Sequence, residues 1–372
     1  MPRVDVYEKV TGAAIYTDDI QFGAGLLHAR AKRSPYPHAL IKRLDVSKAR
    51  ALPGVKIVVT GEDYGDRTGL YIRDKYPFAR ERVRFVGEAV AAVAATSEEI
   101  AEKALDLIEV EYEMLPPVLD PVYGASPEAP LIHPDMATYE VANFIFPVAG
   151  TNMSNHFKIR KGDTEAVWKD CAAIIDTTVR VPHVQHVPIE THIAVAKMDE
   201  NGQLTVWATS QSPFAIRNLL AKAFHLTECR VRVIAPFVGG GFGCKAGLTM
   251  ESIPVALALK CKGRPIKFAL TREEEFFTNF VRQGMVMNIK VGCDKDGHLL
   301  AMENKMYWDG GAYTEYGVNI TRAAGYSGTG PYDVPNVKLD SICVYTNHPV
   351  GGAYRGFGMS ELHAGVDQAM DM

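Results

Sequence analysis

The segment that most restricts the fold is Phe237–Val238–Gly239–Gly240–Gly241–Phe242–Gly243–Cys244–Lys245. It follows the β-branched stretch CRVRVIAPF, which reads as a strand, and precedes MESIPVALALKCKG, a helix pattern closing on Gly263. Consecutive glycines allow positive φ and let a backbone approach a ligand with its N–H groups forward. The start of the following helix would add the positive end of a dipole. Known phosphate cradles do not fit. A Walker loop needs Gly-Lys-Ser/Thr, but Cys244 precedes Lys245 and Ala246 follows it. GxGxxG would require glycine at 244 or at 246, and neither position carries one. A glycine turn without a ligand is the competing reading.

Two further segments share this character. Gly351–Gly352–Ala353–Tyr354–Arg355–Gly356–Phe357–Gly358 sets an arginine between aromatics, and guanidinium is a planar fork suited to phosphate or oxo anions. Thr209–Ser210–Gln211–Ser212–Pro213 ends a strand pattern with an amide that both donates and accepts. Taken singly, these read equally well as a solvated arginine turn and a capping glutamine.

The rest of the sequence excludes several classes. With 372 residues, two or three domains are expected. The 40 Lys+Arg and 44 Asp+Glu leave a net charge of −4, which argues against a nucleic-acid binder. No apolar run approaches the roughly 20 residues of a membrane span. MPRVDVYEKVTG lacks a secretory pattern, so a cytoplasmic location is expected. The six cysteines are scattered without a CxxC pair and are expected to be reduced and mostly buried; Cys244 stands out only for its place in the glycine run. His183, His186 and His192 crowd a β-like stretch without a metal-site spacing, which favours structural roles.

The first third reads as an α+β module. GAAIYTDDI, LLHARAKRS, VKIVVT and AVAAVAA are strand candidates, and a helix starts at Ser97 with Ile100, Ala104, Leu105 and Ile108 on one face. The proline-rich stretch after Leu115 is the linker candidate, with a boundary near 115–150. Domains are placed at 1–130 and 131–372. Beyond it come strands at AAIIDTTVRVPHVQH and GQLTVWATSQ, an amphipathic helix FAIRNLLAKAFHL, and a strand–turn–strand around Asp296–Gly297. SELHAGVDQAMDM reads as a helix.

In this order SQSP, GGGFGCK and GAYRGFG resemble the molybdenum-cofactor subunit of the xanthine dehydrogenase/aldehyde oxidase family. The separations, 31 residues from Gln211 to Phe242 and 113 from Phe242 to Arg355, are similar to that family's layout. The likeness extends from Lys9–Gly12 through Val86–Val90 to the arginine loop. It implies a mixed α/β, α+β chain: an α/β-hammerhead-like domain, then the first part of a molybdenum-cofactor-binding domain that needs a C-terminal half.

The resemblance also implies roles. Gln211, Gly240, Gly241, Phe242, Gly243, Ala353, Tyr354 and Arg355 would bind molybdopterin, for which the cytosine dinucleotide form is one option. Gln211, Phe242 and Arg355 would contact the molybdenum centre without being its side-chain ligands. Because the pterin brings the sulfur ligands, no Cys/His cluster is required. Phe357 would stack against a flat ring, and Arg322 would anchor substrate and stabilise developing charge. Ala246 stands where purine-oxidising members carry a glutamate, which points away from plain xanthine and toward a nicotinate-like or other purine-like ring. Met359–Ser360–Glu361 departs from the usual Pro-Gln. The general base belongs to the missing half, so Glu190, Glu251 and Glu361 are not candidates. The expected activity is hydroxylation with water of an N-heteroaromatic substrate, with electrons passing to Fe–S and FAD centres on partner subunits. An aldehyde oxidoreductase and a non-catalytic binding or assembly module are the alternatives. Half the family's length implies either a subunit split as in nicotinate dehydrogenase relatives, or a fragment, inactive without its partner.

Overall fold

In the computed structural model, which describes residues 3–372, the strand Ala89–Ala95 is buried on both faces. Its sequence AVAAVAA explains this, because small residues let helices close over both sides of a sheet. Ala91 and Val93 meet Val46, Ala49 and Ala104 on one side, while Ala92 and Ala94 join the main core on the other. This is the two-residue alternation of a strand.

The strand belongs to a seven-stranded mixed sheet. Its order is Val231–Ile234, Leu204–Ala208, Ile193–Met198, Ile266–Ala269, Leu27–Arg33, Ala89–Ala95, Val55–Thr60. Leu27 pairs in parallel beside Ile266 and Ala29 beside Phe268, so the sheet unites distant parts of the sequence. Helices Pro213–Ala223 and Ser252–Lys260 cover one face through Ile216, Leu220, Val255 and Leu257. Helix Glu98–Asp106, capped by the Ser97 hydroxyl, covers the other.

A second sheet of five strands runs Met153–Lys161, Asn336–Tyr345, Leu299–Gly311, Met285–Cys293, Ala173–Val181. Met285, Met287 and Ile289 point to one side, where Ile320 of helix Gly317–Tyr326 and Leu362 and Val366 of helix Met359–Asp371 bury them. The chain is therefore mixed α/β, as expected. No helix among the described residues is long and apolar enough to cross a membrane.

Several local expectations are corrected. GAAIYTDDI is a short 3-10 turn, Thr17–Asp19, with a single bridge from Tyr16 to Phe237. Asp19 accepts from the Tyr16 N–H, and that local bond competes with strand pairing. The helix from Ser97 ends at Asp106, and Glu109–Met114 is a strand paired with Ala39–Asp45, because its alternating Val110 and Tyr112 suit a sheet. The proline-rich stretch is packed, burying Val118, Ile132, Met136 and Ile145 against Val318 and Tyr345. Of the six cysteines, only Cys244 and Cys343 are fully buried.

Candidate functional site

Strands Leu204–Ala208 and Val231–Ile234 lie side by side and parallel, with Trp207 beside Ile234. Parallel neighbours release their chains at the same edge, so the Gln211 loop and the glycine run emerge together. They are joined directly. The Gln211 N–H donates to the Lys245 carbonyl (2.8 Å), and Gln211 Oε1 accepts from the Gly243 N–H (2.9 Å). With its oxygen engaged, the exposed amide keeps its NH2 group as a donor.

The arginine loop arrives from the other sheet. Gly351 and Gly352 donate to the carbonyls of Gly310 and Val281, and the Arg355 N–H donates to the Phe242 carbonyl (2.8 Å). Glycine is required at the junction. A Cβ on Gly243, whose φ is +116°, would stand 2.2 Å from the Ala353 carbonyl oxygen, and one on Gly241 would stand 2.5 Å from Gln211 Oε1. Gly240, at φ +99°, lies under the Phe242 ring. Gln211, Phe242 and Arg355 are thereby presented, all exposed, by three interlocked loops.

Three of the four non-glycine residues with positive φ among the described residues belong to these loops or their support, the fourth being His225 after helix Pro213–Ala223. Phe242, Phe357 and Val187 hold φ of 55°, 50° and 47°, a region that bulky side chains avoid. Such residues persist only where their surroundings over-determine them, and they cluster at ligand-binding loops. The glycine run is held from behind by Lys245. Its fully buried ammonium donates to the Glu190 carbonyl (2.8 Å) and carboxylate (2.9 Å), and that carboxylate also accepts from the Gly239 N–H (2.7 Å).

The arginine loop has its own support. Burial depresses His186 to about 4, so the neutral ring donates from Nε2 to the Ala353 carbonyl (2.7 Å) and stacks on Tyr354 at 4.2 Å. Arg282 also lies over the Tyr354 ring, 4.0 Å from its centre, and donates to the Arg355 carbonyl. None of His186, Arg282, Lys245 or Glu190 stood out for this role in the sequence, because their partners lie tens to hundreds of residues away. Only the buried-lysine position carried a signal, its place within GGGFGCK.

Burial pushes the Cys244 thiol up to about 12, and its Sγ donates to the Gly241 carbonyl, so this cysteine props the loop and is not a reactive thiolate. The expected helix dipole is absent from the loop. The helix begins only at Ser252, and Glu251 already accepts from the Thr249 and Met250 N–H groups at its start. Glu361 is buried beside Arg282 (3.6 Å). The three glutamates set aside in the sequence all have structural partners.

Phe357 and Arg322 do not meet directly but are linked through a series of aromatic rings. Phe357 meets Tyr316 edge-on, Tyr316 meets Tyr71, and Tyr71 meets Phe144. Arg322 lies over Phe144 at 4.7 Å and bonds Asn319 and the Tyr326 hydroxyl. Ala246 follows the loop with its N–H on the Gly243 carbonyl, a small half-buried side chain. The site is an open surface. A concavity of about 790 Å³ lies elsewhere, on the polar face of the five-stranded sheet around Asp176, Lys290 and Asp340.

Behind Ala246, the Glu315 carboxyl accepts from the Leu248 N–H. Burial pushes it up to about 8, an effect that Lys75 only partly offsets. The native state thus keeps a proton that the unfolded chain releases above about 4.5. The stability this contributes is fully present below about 4.5 and is lost as pH rises toward about 8. Glu315→Gln keeps the accepting oxygen and removes the titration. It should therefore raise the thermal unfolding midpoint above pH 8 and change it little near pH 5, as paired melts would show.

The arrangement fits a pterin-held metal. The glycine cradle admits close approach, an amide donor and a guanidinium are exposed beside it, and its thiol is buried on the Gly241 carbonyl, which leaves the loop's backbone and these donors as the groups that would meet the cofactor. Comparisons with known proteins agree. A family profile described as "Molybdopterin cofactor-binding domain" matches residues 145–372, and "Aldehyde oxidase and xanthine dehydrogenase, a/b hammerhead domain" matches 11–116. The nicotinate dehydrogenase large molybdopterin subunit of Eubacterium barkeri is 35% identical, over 99% of this chain and 84% of its own length. A probable xanthine dehydrogenase component of Bacillus subtilis is also 35% identical, but only 48% of its length is covered. The aldehyde oxidoreductase of Desulfovibrio gigas superposes with a TM-score of 0.88 at 28% identity, over 100% of this chain and 41% of that one. The chain thus spans about half or less of the length of the latter two proteins. With both profiles and a relative matched over most of its length, the chain belongs to the molybdopterin-binding aldehyde oxidase/xanthine dehydrogenase family of oxidoreductases.

Proposed function

We propose that this chain provides the first part of the cofactor-binding surface of a molybdenum hydroxylase acting on an N-heteroaromatic ring. The observation that carries this reading is the pair of bonds from Gly243 to Gln211 and from Arg355 to Phe242, which bring three distant loops to one surface. Bound there, the molybdenum cofactor, with the cytosine dinucleotide as one form, would supply the redox chemistry. The chain's own residues bind and orient. The Gln211 NH2 would donate to the bound centre, the Phe242 and Gly243 backbone would limit how closely the cofactor approaches, and Arg355 would offer its guanidinium to anionic oxygens. Phe357, held in a left-handed conformation and half-buried beside Tyr316, would offer its ring for stacking. Arg322 supplies positive charge at the far end of the aromatic series from Phe357, where a ring carboxylate or developing negative charge would be stabilised by a few kcal/mol. The general base is assigned to a C-terminal half, and electrons to Fe–S and FAD partner subunits of a cytoplasmic complex.

Ala246 points away from plain xanthine, while Arg322 and the likeness to a nicotinate dehydrogenase subunit support a nicotinate-like ring over an aldehyde. Steady-state oxidation of nicotinate, hypoxanthine and benzaldehyde by the complex isolated with its partner chains tests this. A preference in kcat/KM for the ring substrates is expected, and activity confined to the aldehyde would overturn the substrate assignment.

A further inference from the structure

We propose that His183, Asp309 and His348 form a second metal site, one that takes a divalent transition ion of the zinc class. The three residues come from separate parts of the fold. His183 lies between strands Ala173–Val181 and Val184–Gln185, Asp309 is near the end of Leu299–Gly311, and His348 opens the stretch leading to the arginine loop. One donor atom from each lies within 4.8 Å of the others. Asp309 Oδ2 is 3.6 Å from His183 Nε2 and 2.7 Å from His348 Nδ1.

The carboxylate is already aimed. Its other oxygen accepts from the Thr346 hydroxyl and the Gly311 N–H, which turns Oδ2 toward both imidazoles. Outer hydrogen bonds of this kind orient the ligands of metal sites. A hydrogen bond from His348 to Asp309 would by itself account for two of the three residues. It leaves His183 unexplained, because His183 Nε2 is buried with no hydrogen-bond partner among the described residues. A buried imidazole nitrogen left without a hydrogen-bond partner keeps its lone pair or proton free, as a ligand position requires.

Two imidazoles and one carboxylate suit zinc and its first-row neighbours, and three protein ligands leave a fourth position for water. With metal–ligand distances of about 2.0–2.2 Å, donors around a tetrahedral ion stand about 3.2–3.6 Å apart. The His183 separation already fits, and the His348 pair must open by under about 1 Å. The histidine side chains are 27% and 32% exposed, which gives the ion a route in. The ion would fasten the arginine loop at its root, since the Ala312 N–H already donates to the His348 carbonyl and the Gly351 N–H to that of Gly310. It would act by positioning the arginine loop and would take no part in the redox chemistry.

The test is titration of the chelator-treated full chain with Co²⁺, followed by Zn²⁺. One equivalent of Co²⁺ should give the visible absorption of a four-coordinate ion, and Zn²⁺ should displace it. Thermal unfolding should shift upward with metal. His183→Asn and His348→Gln should each weaken binding at least about tenfold, whereas His298→Gln, in an exposed turn, should not. In the wild type, Zn²⁺ should move the ring-nitrogen NMR signals of only two of the 11 histidines; this readout needs no variant to fold. Absence of a stoichiometric band, binding unchanged in both variants, or signals that do not move would overturn the site.

Discussion

Gly243→Val should leave the protein folded but nearly free of molybdenum, with content below about a tenth of wild type in the complex isolated with its partner chains. The reason is local. The added Cβ would stand 2.2 Å from the Ala353 carbonyl oxygen and 2.6 Å from its carbon, both backbone atoms that cannot rotate aside. At φ +116° a β-branched residue is also strained, by about 1–3 kcal/mol. Relief requires the two loops to part, which breaks the Arg355-to-Phe242 bond and turns the Gly243 N–H away from Gln211. Both sheets lie behind these loops, so the unfolding midpoint should fall far less than the metal content. Metal analysis and a thermal melt on one preparation separate the two effects. Full metal content in the variant would mean that the loop contact does not shape the cofactor surface.

Lys245→Met should have the largest effect on stability, about 3–5 kcal/mol. Methionine fills similar volume, but it leaves the Glu190 carboxylate, only 11% exposed, without its cation. Glu190 Oε1 has no hydrogen-bond partner among the described residues even in the native protein, so the loss falls on a group that is already under-satisfied. Removing one member of a buried pair is worse than removing both. Adding Glu190→Gln to Lys245→Met should therefore recover part of the loss, since a neutral amide can still accept from the Gly239 N–H. Denaturant unfolding midpoints of the wild type, single and double variants measure this. Equal stability in the single and double variants would show that the buried charge is not the cause.

The loops were legible in the sequence because glycine, arginine and amide residues in short runs state their backbone needs locally. The strands around Val58, Val93 and Met287 were legible for the same reason, through short apolar, often β-branched runs bounded by turn residues. What joins the loops was not. The parallel pairing of Trp207 with Ile234 explains why Gln211 meets Gly243, yet pairing partners leave no mark in either segment alone. The aromatic series from Phe357 through Tyr316, Tyr71 and Phe144 to Arg322 crosses from residue 357 to residue 71, beyond any periodicity. His183 looked merely structural beside His186 and His192, and its neighbours in space, Asp309 and His348, lie far along the chain. The proline-rich stretch reads as a linker from its turn residues, and the burial of Val118, Ile132, Met136 and Ile145 among them was not legible there.

Molybdenum and pterin content per chain, in the complex isolated from cells with its native partners, tests the central claim most directly. The expected result is one molybdenum and one pterin for each copy of this chain, both lost in Arg355→Ala while the partners remain associated. A complex without molybdenum, or one whose content is unchanged by Arg355→Ala, would contradict the assignment of the Gln211, Phe242 and Arg355 loops as the cofactor surface.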